Sequence, residues 1–478
     1  MIKKSLLTML LMALIAPWAA NAQVTDNTWI KAGNQVPTAG TDVYITGDVT
    51  IPAGYTAVAH DVTIADGGSL TIEEGAQFIH TGKVHGKVNF TFNASNAKDD
   101  EYGTYRLIAS PITPSVTVTS TGMIPADTTD PNYKKVDLYY FGEVEDKWIN
   151  YKDPINDFST IDITKGYLYS NPKTVHITFF GYILPTTLPV EVDLSYTEGN
   201  TNAGVNLVGN PFTCFTYLTD GDHDPIPYTV LDENGDYETK APGTPLAPLK
   251  GAFVGATATG QKVIFTTTPP TSDKSVLNIT VNQGRGTVDN AIINFGNNHT
   301  LETLKFDPSQ TKLYMPVEGK DYAVASAENE GEMPICFKTE ENGTYTINFD
   351  AQGVEFSYLH LIDNLTDTEV DLLEKPSYSF DARTTDYAAR FTLVFATGNT
   401  NDDKNDFSFI NDGNLTILGI EGEATLQIID VTGRILSTET FNGSYTKAVN
   451  EAVNQAFGVY MLRLIQGSDV RTQKIVIK

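Results

Sequence analysis

Carboxylates at alternate positions form the most metal-like pattern in this sequence. Residues 220–224 read Asp-Gly-Asp-His-Asp, and oxygen ligands spaced in this way suit calcium. An EF-hand loop also requires glycine at its sixth position and glutamate at its twelfth, where Pro225 and Leu231 stand. EF-hand geometry is therefore excluded. The pattern predicts a solvated acidic loop and no cofactor, and a looser calcium site stays open as the alternative.

Aromatic residues that lie near one another in the sequence are candidates for contact with a glycan. Trp148, Tyr151 and Tyr167 fall within one region, and amphipathic rings can stack on the apolar face of a sugar. Aromatic residues on neighbouring strands also form core contacts and cross-strand pairs. Both interpretations stay open on the sequence alone, and the glycan contact is a prediction.

Catalytic signatures are absent from the sequence. It contains no H-E-x-x-H zinc motif, no G-x-S-x-G nucleophile motif and no phosphate-binding P-loop. Cys336 lies in a strand-like stretch without a neighbouring histidine, which argues against a thiolate nucleophile. We therefore expect no enzymatic activity. The 59 acidic residues leave a pair of glycosidase carboxylates as the alternative, because separation in space cannot be read from the sequence.

The charge of the chain excludes one class of partner. Its formal net charge is −27, and such a surface repels nucleic acid. The two cysteines, Cys214 and Cys336, lie far apart in the sequence. We predict two separate buried thiols instead of a disulfide, so stability must come from large apolar cores.

The elements that position these residues are predicted to be strands. Short alternating runs are broken by Gly, Asn-Gly, Asp-Gly and Pro, and helical periodicity is nearly absent. The pattern predicts an all-β chain of several β-sandwich domains in tandem, Ig-like or jelly-roll-like, after a short repetitive β-ladder. The predicted segments are a β-ladder at 23–95, a duplicated β unit at 96–271, a β-sandwich at 272–396, a linker at 397–408 and a terminal domain at 409–478.

Two internal repeats support this division. In the first segment, short apolar units recur at 42–45, 48–51, 61–64 and 69–72, which favours stacked strands. In the second, the stretch 105–112 matches 205–212, and two further matches follow in the same order: 165–171 with 250–256, and 175–181 with 262–268. The order of the matches predicts two copies of one β unit.

The first residues have the features of a secretory signal peptide. Two lysines precede an apolar run, and an A-x-A site at 20–22 predicts cleavage between Ala22 and Gln23. The apolar run is too short for a transmembrane helix, and we predict no transmembrane segment elsewhere. Removing 22 of 478 residues leaves 456, and removing two lysines from a net charge of −27 leaves −29.

The last seventy residues read as two hairpins with distinctive turns. The first contains Asp430-Val431-Thr432-Gly433-Arg434, and the second begins with Gly458-Val459-Tyr460 and turns at Gly467. It ends on a basic and apolar strand from Lys474 to Lys478. A polar stretch at 397–408 precedes both hairpins and is predicted to be a linker.

Taken together, the linker, the D-x-x-G-R turn and the G-V-Y hairpin resemble the C-terminal sorting domain of the type IX secretion system of Gram-negative bacteria. The resemblance implies that the sorting signal comprises Asp430, Gly433, Arg434, Gly458, Val459, Tyr460, Gly467, Lys474 and Lys478. It also implies a route through the periplasm and across the outer membrane, with the secretion machinery as partner. Cargo of this system is released or attached to an anionic lipopolysaccharide. The stretches 146–152 and 319–349 resemble modules of uncharacterised surface proteins carried by the same system.

We therefore expect a secreted or cell-surface protein with an adhesive or structural role. Its expected partners are the type IX machinery, an anionic lipopolysaccharide, and a glycan or a host or matrix protein. The alternative is a carbohydrate-binding or carbohydrate-hydrolysing surface protein whose acidic residues carry no motif.

Overall fold

Strands make up the regular structure of this chain, as the sequence predicts. The computed structural model describes residues 37–94, 102–271, 274–306, 311–398, 407–411, 414–417, 420, 422–430, 434–443, 445–448, 458–467 and 469–477. The predicted signal peptide 1–22, with its cleavage site at Ala22 and Gln23, lies outside these ranges. Within them the fold class is all-β, with short 3-10 turns and no helix long or apolar enough to cross a membrane. One compact unit runs up to Pro225 and includes 229–237 and 243–270, and the second comprises 226–228, 238–242 and the chain from Thr271 onward.

Eight short strands form the predicted ladder as a parallel coil. They are β1 (Val43–Ile45), β2 (Asp48–Ile51), β3 (Thr56–Ala59), β4 (Val62–Ile64), β5 (Ser69–Glu73), β6 (Gln77–His80), β7 (Val84–His85) and β8 (Val88–Ala94). Strands one turn of the coil apart pair in parallel, so that β1 pairs with β4, β2 with β5 and β3 with β6. Four of these strands are the repeated units recognised in the sequence.

Stacking of identical positions explains why the coil forms. Val43 lies beside Val62, and Val49 lies beside Leu70, with all four side chains buried. Because side chains alternate along a strand, residues two apart share the buried face while those between them face outward. Each turn of the coil therefore extends the core of the previous turn.

The region after the coil contributes fifteen further strands among the described residues. They are β9 (Arg106–Ile108), β10 (Ile112–Thr113), β11 (Val116–Thr117), β12 (Asp137–Gly142), β13 (Lys147–Asn150), β14 (Thr160–Ile161), β15 (Tyr167–Ser170), β16 (Val175–Ile183), β17 (Val190–Asp193), β18 (Val205–Gly209), β19 (Tyr217–Thr219), β20 (Tyr228–Leu231), β21 (Tyr237–Lys240), β22 (Gly251–Gly255) and β23 (Lys262–Thr266). Strand β16 pairs with β8, so one sheet with the order β10-β16-β8-β5-β2 crosses the predicted boundary at 95/96. The core crosses it as well.

The first two pairs of repeated stretches in this region lie in two sheets of the same design, whereas the third pair, 175–181 and 262–268, contributes β16 and β23 to other sheets. One sheet has the order β13-β12-β15-β9, and the other has the order β21-β20-β22-β18. The stretch 105–112 contributes β9 and its match at 205–212 contributes β18, each at the same edge of its sheet. Equivalent strands therefore occupy equivalent places.

The second unit is dominated by a large sandwich. Its strands are β24 (Val276–Gln283), β25 (Gly286–Asn294), β26 (Leu301–Glu302), β27 (Lys312–Val317), β28 (Lys320–Ser326), β29 (Glu330–Lys338), β30 (Gly343–Gln352), β31 (Phe356–Asp363), β32 (Thr368–Asp371), β33 (Ser377–Ala382) and β34 (Phe391–Thr397). Tyr345, Ile347 and Phe349 share a buried face of β30, and β31 forms a hairpin with β32. Side chains from strands along the whole of this sheet contribute to one core.

A buried ion pair ties together two strands of this sandwich and the segment before β34. Arg390 donates from Nε to Asp363 Oδ1 at 2.9 Å and from an Nη to Asp363 Oδ2 at 2.7 Å, and both side chains are almost fully buried. A second Nη of Arg390 donates to the Asp381 carbonyl oxygen at 2.6 Å. Burial alone would raise the pKa of Asp363, but hydrogen bonds and charge from Arg390, with further bonds from Leu365 and Tyr378, hold it below its ordinary value.

The terminal domain contains two further sheets. Its strands are β35 (Ser408–Asn411), β36 (Asn414–Ile417), β37 (Glu423–Asp430), β38 (Ile435–Asn442), β39 (Tyr445–Ala448), β40 (Gly458–Gln466) and β41 (Asp469–Ile477). The three-stranded sheet has the order β35-β36-β39, and the four-stranded sheet has the order β38-β37-β40-β41. The two hairpins predicted from the sequence are β37 with β38 and β40 with β41.

Asp289 on β25 is a carboxyl group on which burial and the neighbouring polar groups act in opposite directions. Burial raises its pKa to about 7, although the backbone N–H groups of Leu313 and Asn290 donate to it at 2.6 and 2.9 Å and Lys312 lies near. A carboxyl group that titrates higher in the folded state than in the unfolded state favours folding when it is protonated. The stabilising effect of this protonation is complete below the unfolded pKa and is lost as the pH rises through the folded pKa.

We expect the substitution Asp363→Ala to lower the free energy of unfolding of the sandwich by about 3–5 kcal/mol, because the buried Arg390 loses its bidentate partner and keeps only the Asp386 carboxylate, 3.7 Å away. Hydrogen exchange of peptides from β31 and β34 in the full chain measures this loss. The control is Glu302→Gln, which removes a partner of the exposed Lys305 and Lys320 in the same sandwich and should cost less than about 1 kcal/mol. Equal effects of the two substitutions would contradict the prediction.

We expect Asp289→Asn to make the stability of the sandwich less sensitive to rising pH across the acidic and neutral range. The asparagine cannot ionise, so the variant should gain stability relative to the native chain between about pH 4 and about pH 8. Thermal unfolding of both proteins across this range tests the idea. A difference between the two proteins that stays constant with pH would show that Asp289 does not titrate in this window.

Candidate functional site

The terminal domain is a small sandwich with its own core. Buried side chains from the three-stranded sheet meet those of the four-stranded sheet between the two layers; they are Phe407, Leu415, Ile417, Ala424, Leu426, Ile428, Tyr460, Leu462, Leu464 and Ile475. Alternation along β37 and β40 supplies this face, as the sequence pattern predicts. The candidate sorting residues that the structure describes belong to the four-stranded sheet and its turns.

Gln473 on β41 fixes the point where the domain begins. Its Oε1 accepts hydrogen bonds from the backbone N–H groups of Phe407 and Ser408 at 2.8 and 2.7 Å, and its Nε2 donates to the Ser408 carbonyl oxygen at 2.7 Å. Phe407 is buried in the core of the domain. These two residues therefore belong to the terminal domain, although the sequence assigned them to the linker 397–408.

The D-x-x-G-R turn is closed by its first and last residues. Asp430 Oδ1 accepts the backbone N–H of Arg434 at 3.0 Å, and Asp430 Oδ2 accepts the Arg434 Nε–H at 3.0 Å. The Asp430 N–H in turn donates to the Arg434 carbonyl oxygen at 2.9 Å. The Arg434 side chain is 75% exposed, while that of Asp430 is 16% exposed. Asp430 therefore fixes the Nε end of the guanidinium group, and the rest of the Arg434 side chain faces solvent. Gly433 lies outside the described residues.

The last hairpin supplies a long strand at the edge of its sheet. Gly458, Val459 and Tyr460 begin β40, which pairs with β41 over nine residues on each strand. Gly467 at the turn has φ 59°, a conformation that favours glycine. Lys474 lies on β41, and Lys478 lies outside the described residues. In the described part of the chain β41 has one neighbouring strand, so its other edge can accept a further strand.

A row of apolar residues crosses the outer face of the same sheet. Ile435 on β38 lies opposite Ile429 on β37, and Ile429 lies opposite Met461 on β40. Ile435 and Met461 are 50% and 37% exposed. The sequence shows these residues within its hairpins, but the row becomes visible only once the strands are aligned. The row lies at the end of the sheet that carries the Asp430–Arg434 turn.

The three aromatic residues proposed for glycan contact are packed against protein. Tyr167 is fully buried, and its hydroxyl accepts the Asp162 N–H at 2.7 Å, so it cannot stack on a glycan. Tyr151 is partly buried and has its ring edge-on to that of Phe158. Trp148 is also partly buried, among rings of its own unit. For Tyr167 the alternative of a core residue is therefore the correct one.

An exposed aromatic pair lies instead on the outer face of the coil sheet. Phe180 and Tyr182 alternate along β16 and are 54% and 47% exposed. The Lys87 ammonium lies over both rings, 5.3 Å from the centroid of Phe180 and 5.6 Å from that of Tyr182. The alternation of β16 carried the signal that could have located this pair, because Ile177 and Phe179 take the buried positions.

Polar side chains continue from the aromatic pair across the sheet. Phe180 lies opposite Asn89, Asn89 opposite Thr71, and Thr71 opposite Thr50. Asn89 Nδ2 lies 3.5 Å from Thr71 Oγ1. The face therefore offers two exposed rings beside a row of amide and hydroxyl groups.

The acidic loop at 220–224 is organised by its own backbone. Asp220 Oδ1 accepts the backbone N–H groups of Asp222 and Asp224, each at 2.9 Å, and Asp222 and Asp224 are exposed. A carboxylate used in this way closes the loop. The looser calcium site stays a prediction, because carboxylate oxygens of Asp220 and Asp224 lie within 4.8 Å of each other.

A second group of potential metal ligands lies on the coil and is also hydrogen-bonded. Asp42, His60 and Asp61 have ligand atoms within 4.8 Å of one another. His60 Nδ1 lies 2.7 Å from Asp42 Oδ1, and this bond raises the pKa of His60. Asp61 Oδ1 accepts the Lys83 N–H at 2.6 Å. Some of the atoms that could bind a metal are thus already used in hydrogen bonds within the protein.

The free cysteines follow the prediction from the sequence. Cys214 and Cys336 are both buried and neither forms a disulfide. Burial raises the pKa of Cys214 to about 12 and also raises that of Cys336. Neither environment favours a reactive thiolate.

Comparisons with known proteins agree with the terminal domain and add little elsewhere. No curated protein matches the sequence. A solved structure titled "Biofilm associated protein - BSP domain" aligns at 9% identity over 82% of this chain and 96% of that chain, but its TM-score of 0.15 carries no argument. Residues 411–478 match the family described as "Secretion system C-terminal sorting domain". This chain is therefore a cargo protein of the type IX secretion system, carried by its C-terminal sorting domain to the outer cell surface or the extracellular space.

Proposed function

We propose that the exported protein is adhesive and acts by binding, without catalysis. The observation that carries the proposal is the pair of exposed rings on the coil sheet, Phe180 and Tyr182, in a chain that bears a sorting domain. A surface destination gives such rings access to ligands outside the cell. Attachment to an anionic lipopolysaccharide and binding to a host or matrix protein are further parts of the adhesive proposal.

The ligand class that suits the coil sheet best is a glycan. An aromatic ring offers a flat apolar surface to the C–H groups of a sugar, and amide and hydroxyl groups pair with sugar hydroxyls. Phe180 and Asn89 lie side by side on neighbouring strands, so one sugar can contact both. The next positions in the row, Thr71 and Thr50, follow at the spacing of strands, about 4.8 Å. This arrangement favours a chain of sugars laid across the strands.

We further propose that the Asp430–Arg434 turn and the edge of β41 are what the secretion machinery recognises. The turn presents the Arg434 side chain, and among the described residues β41 has no strand on its other edge, where a receptor strand can bind. The apolar row of Ile435, Ile429 and Met461 lies beside the turn. A receptor that contacts this end of the sheet therefore meets charge and apolar surface together.

Asp430→Ala should reduce the amount of protein that reaches the cell surface by roughly tenfold, because Arg434 loses two hydrogen bonds to a charged acceptor. Surface labelling and immunoblotting of the periplasmic fraction measure the change, with intact protein expected to accumulate in the periplasm. Glu423→Ala, an exposed carboxylate at the other end of β37, is the matched control and should be exported normally. Normal export of the Asp430 variant would contradict the assigned role of the turn.

Replacing both Phe180 and Tyr182 by alanine should weaken binding to glycans by about tenfold or more, because each lost ring contact contributes about 1 kcal/mol. A glycan array followed by calorimetry on the best ligand measures this. Tyr44→Ala is the control, since Tyr44 is 54% exposed on a different sheet of the coil. Binding that survives the double substitution would refute the site, and an array without any bound glycan would refute the ligand class.

A further inference from the structure

The outer face of one sandwich sheet breaks the usual alternation of buried and exposed residues. On β34, Leu393 and Phe395 point into the sandwich core, yet Val394 and Ala396 on the opposite face are also buried, at 4% and 8% exposure. Tyr358 on β31 lies opposite Ala396 and is 8% exposed. These three residues form an apolar cluster separate from the core. Something must cover this face.

The three-stranded sheet of the sorting domain contacts the same face. Glu332 on β29 lies opposite Val394, so the two side chains share the outer surface. Glu332 Oε1 accepts the hydroxyl of Thr446 on β39 at 3.0 Å and that of Thr416 on β36 at 3.2 Å. Strand β35 also lies next to β29. The sandwich and the sorting domain therefore meet at this point.

The burial of Thr416 shows which side of the sorting domain faces the sandwich. Leu415 and Ile417 point into the core of the domain, so Thr416 between them points away from it. Thr416 is nevertheless 3% exposed. Its outward side is thus covered at the place where it bonds to Glu332.

The hydrogen-bonding groups at the contact suit a charged acceptor. Thr416 Oγ1 and Thr446 Oγ1 lie 3.1 Å apart, and both lie near the Glu332 carboxylate. Two hydroxyls supply two protons, and an ionised carboxylate can accept both. Hydrogen bonds to a charged group are stronger than those between neutral groups.

We propose that this face of the sandwich, defined by Glu332, Tyr358, Val394 and Ala396, is a docking surface for the chain's own sorting domain. The contact holds the two parts together without the peptide that joins them. Its occupant is the three-stranded sheet, with Thr416 and Thr446 at the polar contact. The inference concerns a different surface from the glycan face and does not depend on the adhesive role.

The docked arrangement separates the two tasks of the sorting domain. Its three-stranded sheet faces the cargo, while Asp430, Arg434 and the edge of β41 lie on the four-stranded sheet. The proposed sorting signal therefore stays available to a receptor while the three-stranded sheet is bound to the sandwich. Cutting the chain between the sandwich and the sorting domain would not by itself free the cargo, because the contact must also open.

The test is to cut the joining peptide and ask whether the parts separate. A recognition sequence for a specific protease is placed within residues 399–406 of the full chain, and complete cleavage is verified on a denaturing gel. On size-exclusion chromatography the two fragments should elute together. Fragments that separate fully at micromolar concentration would overturn the proposal.

Substitutions then locate the contact. Thr416→Val combined with Thr446→Val keeps the side-chain shape and removes both hydroxyls, and it should raise the dissociation constant of the cut fragments by about tenfold or more. The control pair is Thr425→Val with Thr440→Val, which removes a similar Thr–Thr contact of 3.1 Å on the four-stranded sheet and should leave the constant unchanged. Equal effects of both pairs would overturn the assigned contact.

Two further measurements keep the result unambiguous. Hydrogen exchange of the sorting domain core shows whether the valine variants remain folded, and a variant with a disrupted core is replaced by Glu332→Gln, which should weaken association a few-fold. Light scattering of the uncut chain should give a monomer. A dimer that the valine substitutions convert to monomer would show that a second copy covers the face and would overturn the proposal.

Discussion

Alternation of side chains along strands is the constraint on which every part of this molecule depends. A strand directs successive residues to opposite faces, so each sheet can bury one set of residues and must expose the other. The coil, the sandwich and the sorting domain all obey this rule in their cores. Places where an apolar residue takes an outward position are therefore the ones that need another explanation. Three such places stand out, and each is a surface instead of a defect in packing.

These three surfaces differ in what lies against them. On β16, Phe180 and Tyr182 stay exposed beside the Lys87 ammonium, which suits a ligand that approaches from solvent. On β34, Val394 and Ala396 are buried although they face outward, which suits a surface that is already occupied. The row that crosses β38, β37 and β40 is half exposed and lies beside a charged turn. Exposure thus separates the proposed binding face on β16 from the covered face on β34.

Much of the architecture could be predicted because its information is local. Repeated four-residue units with apolar residues two apart indicate the coil, and the D-x-x-G-R turn indicates a hairpin that Asp430 does close onto Arg434. Pairing between strands distant in sequence was not accessible in this way. Strand β16 pairs with β8 in the coil sheet although 80 residues lie between the end of β8 at Ala94 and the start of β16 at Val175, and no single pattern marks that pairing.

The aromatic residues show why the site was harder to predict than the fold. Tyr167 and Tyr182 are the same residue type and both lie on strands, yet one is fully buried and the other is 47% exposed. The direction of a side chain depends on which face of its strand meets a neighbouring layer, and the layer is a property of the whole fold. A list of aromatic residues therefore predicts a site poorly until strand pairing is known.

The sorting domain illustrates how a signal can be both folded and separable. Gln473 on the last described strand bonds to Phe407 and Ser408 at the start of the domain, so the two ends of this sandwich support each other. Its core contains side chains from both of its own sheets, and its contact with the larger sandwich rests on hydroxyl groups at the outer face of one sheet. A domain with a closed core and a polar outer contact can be held without being merged into its neighbour. That combination also keeps the hydrogen bonds between Asp430 and Arg434 within the domain, on a different sheet from the one that contacts the sandwich.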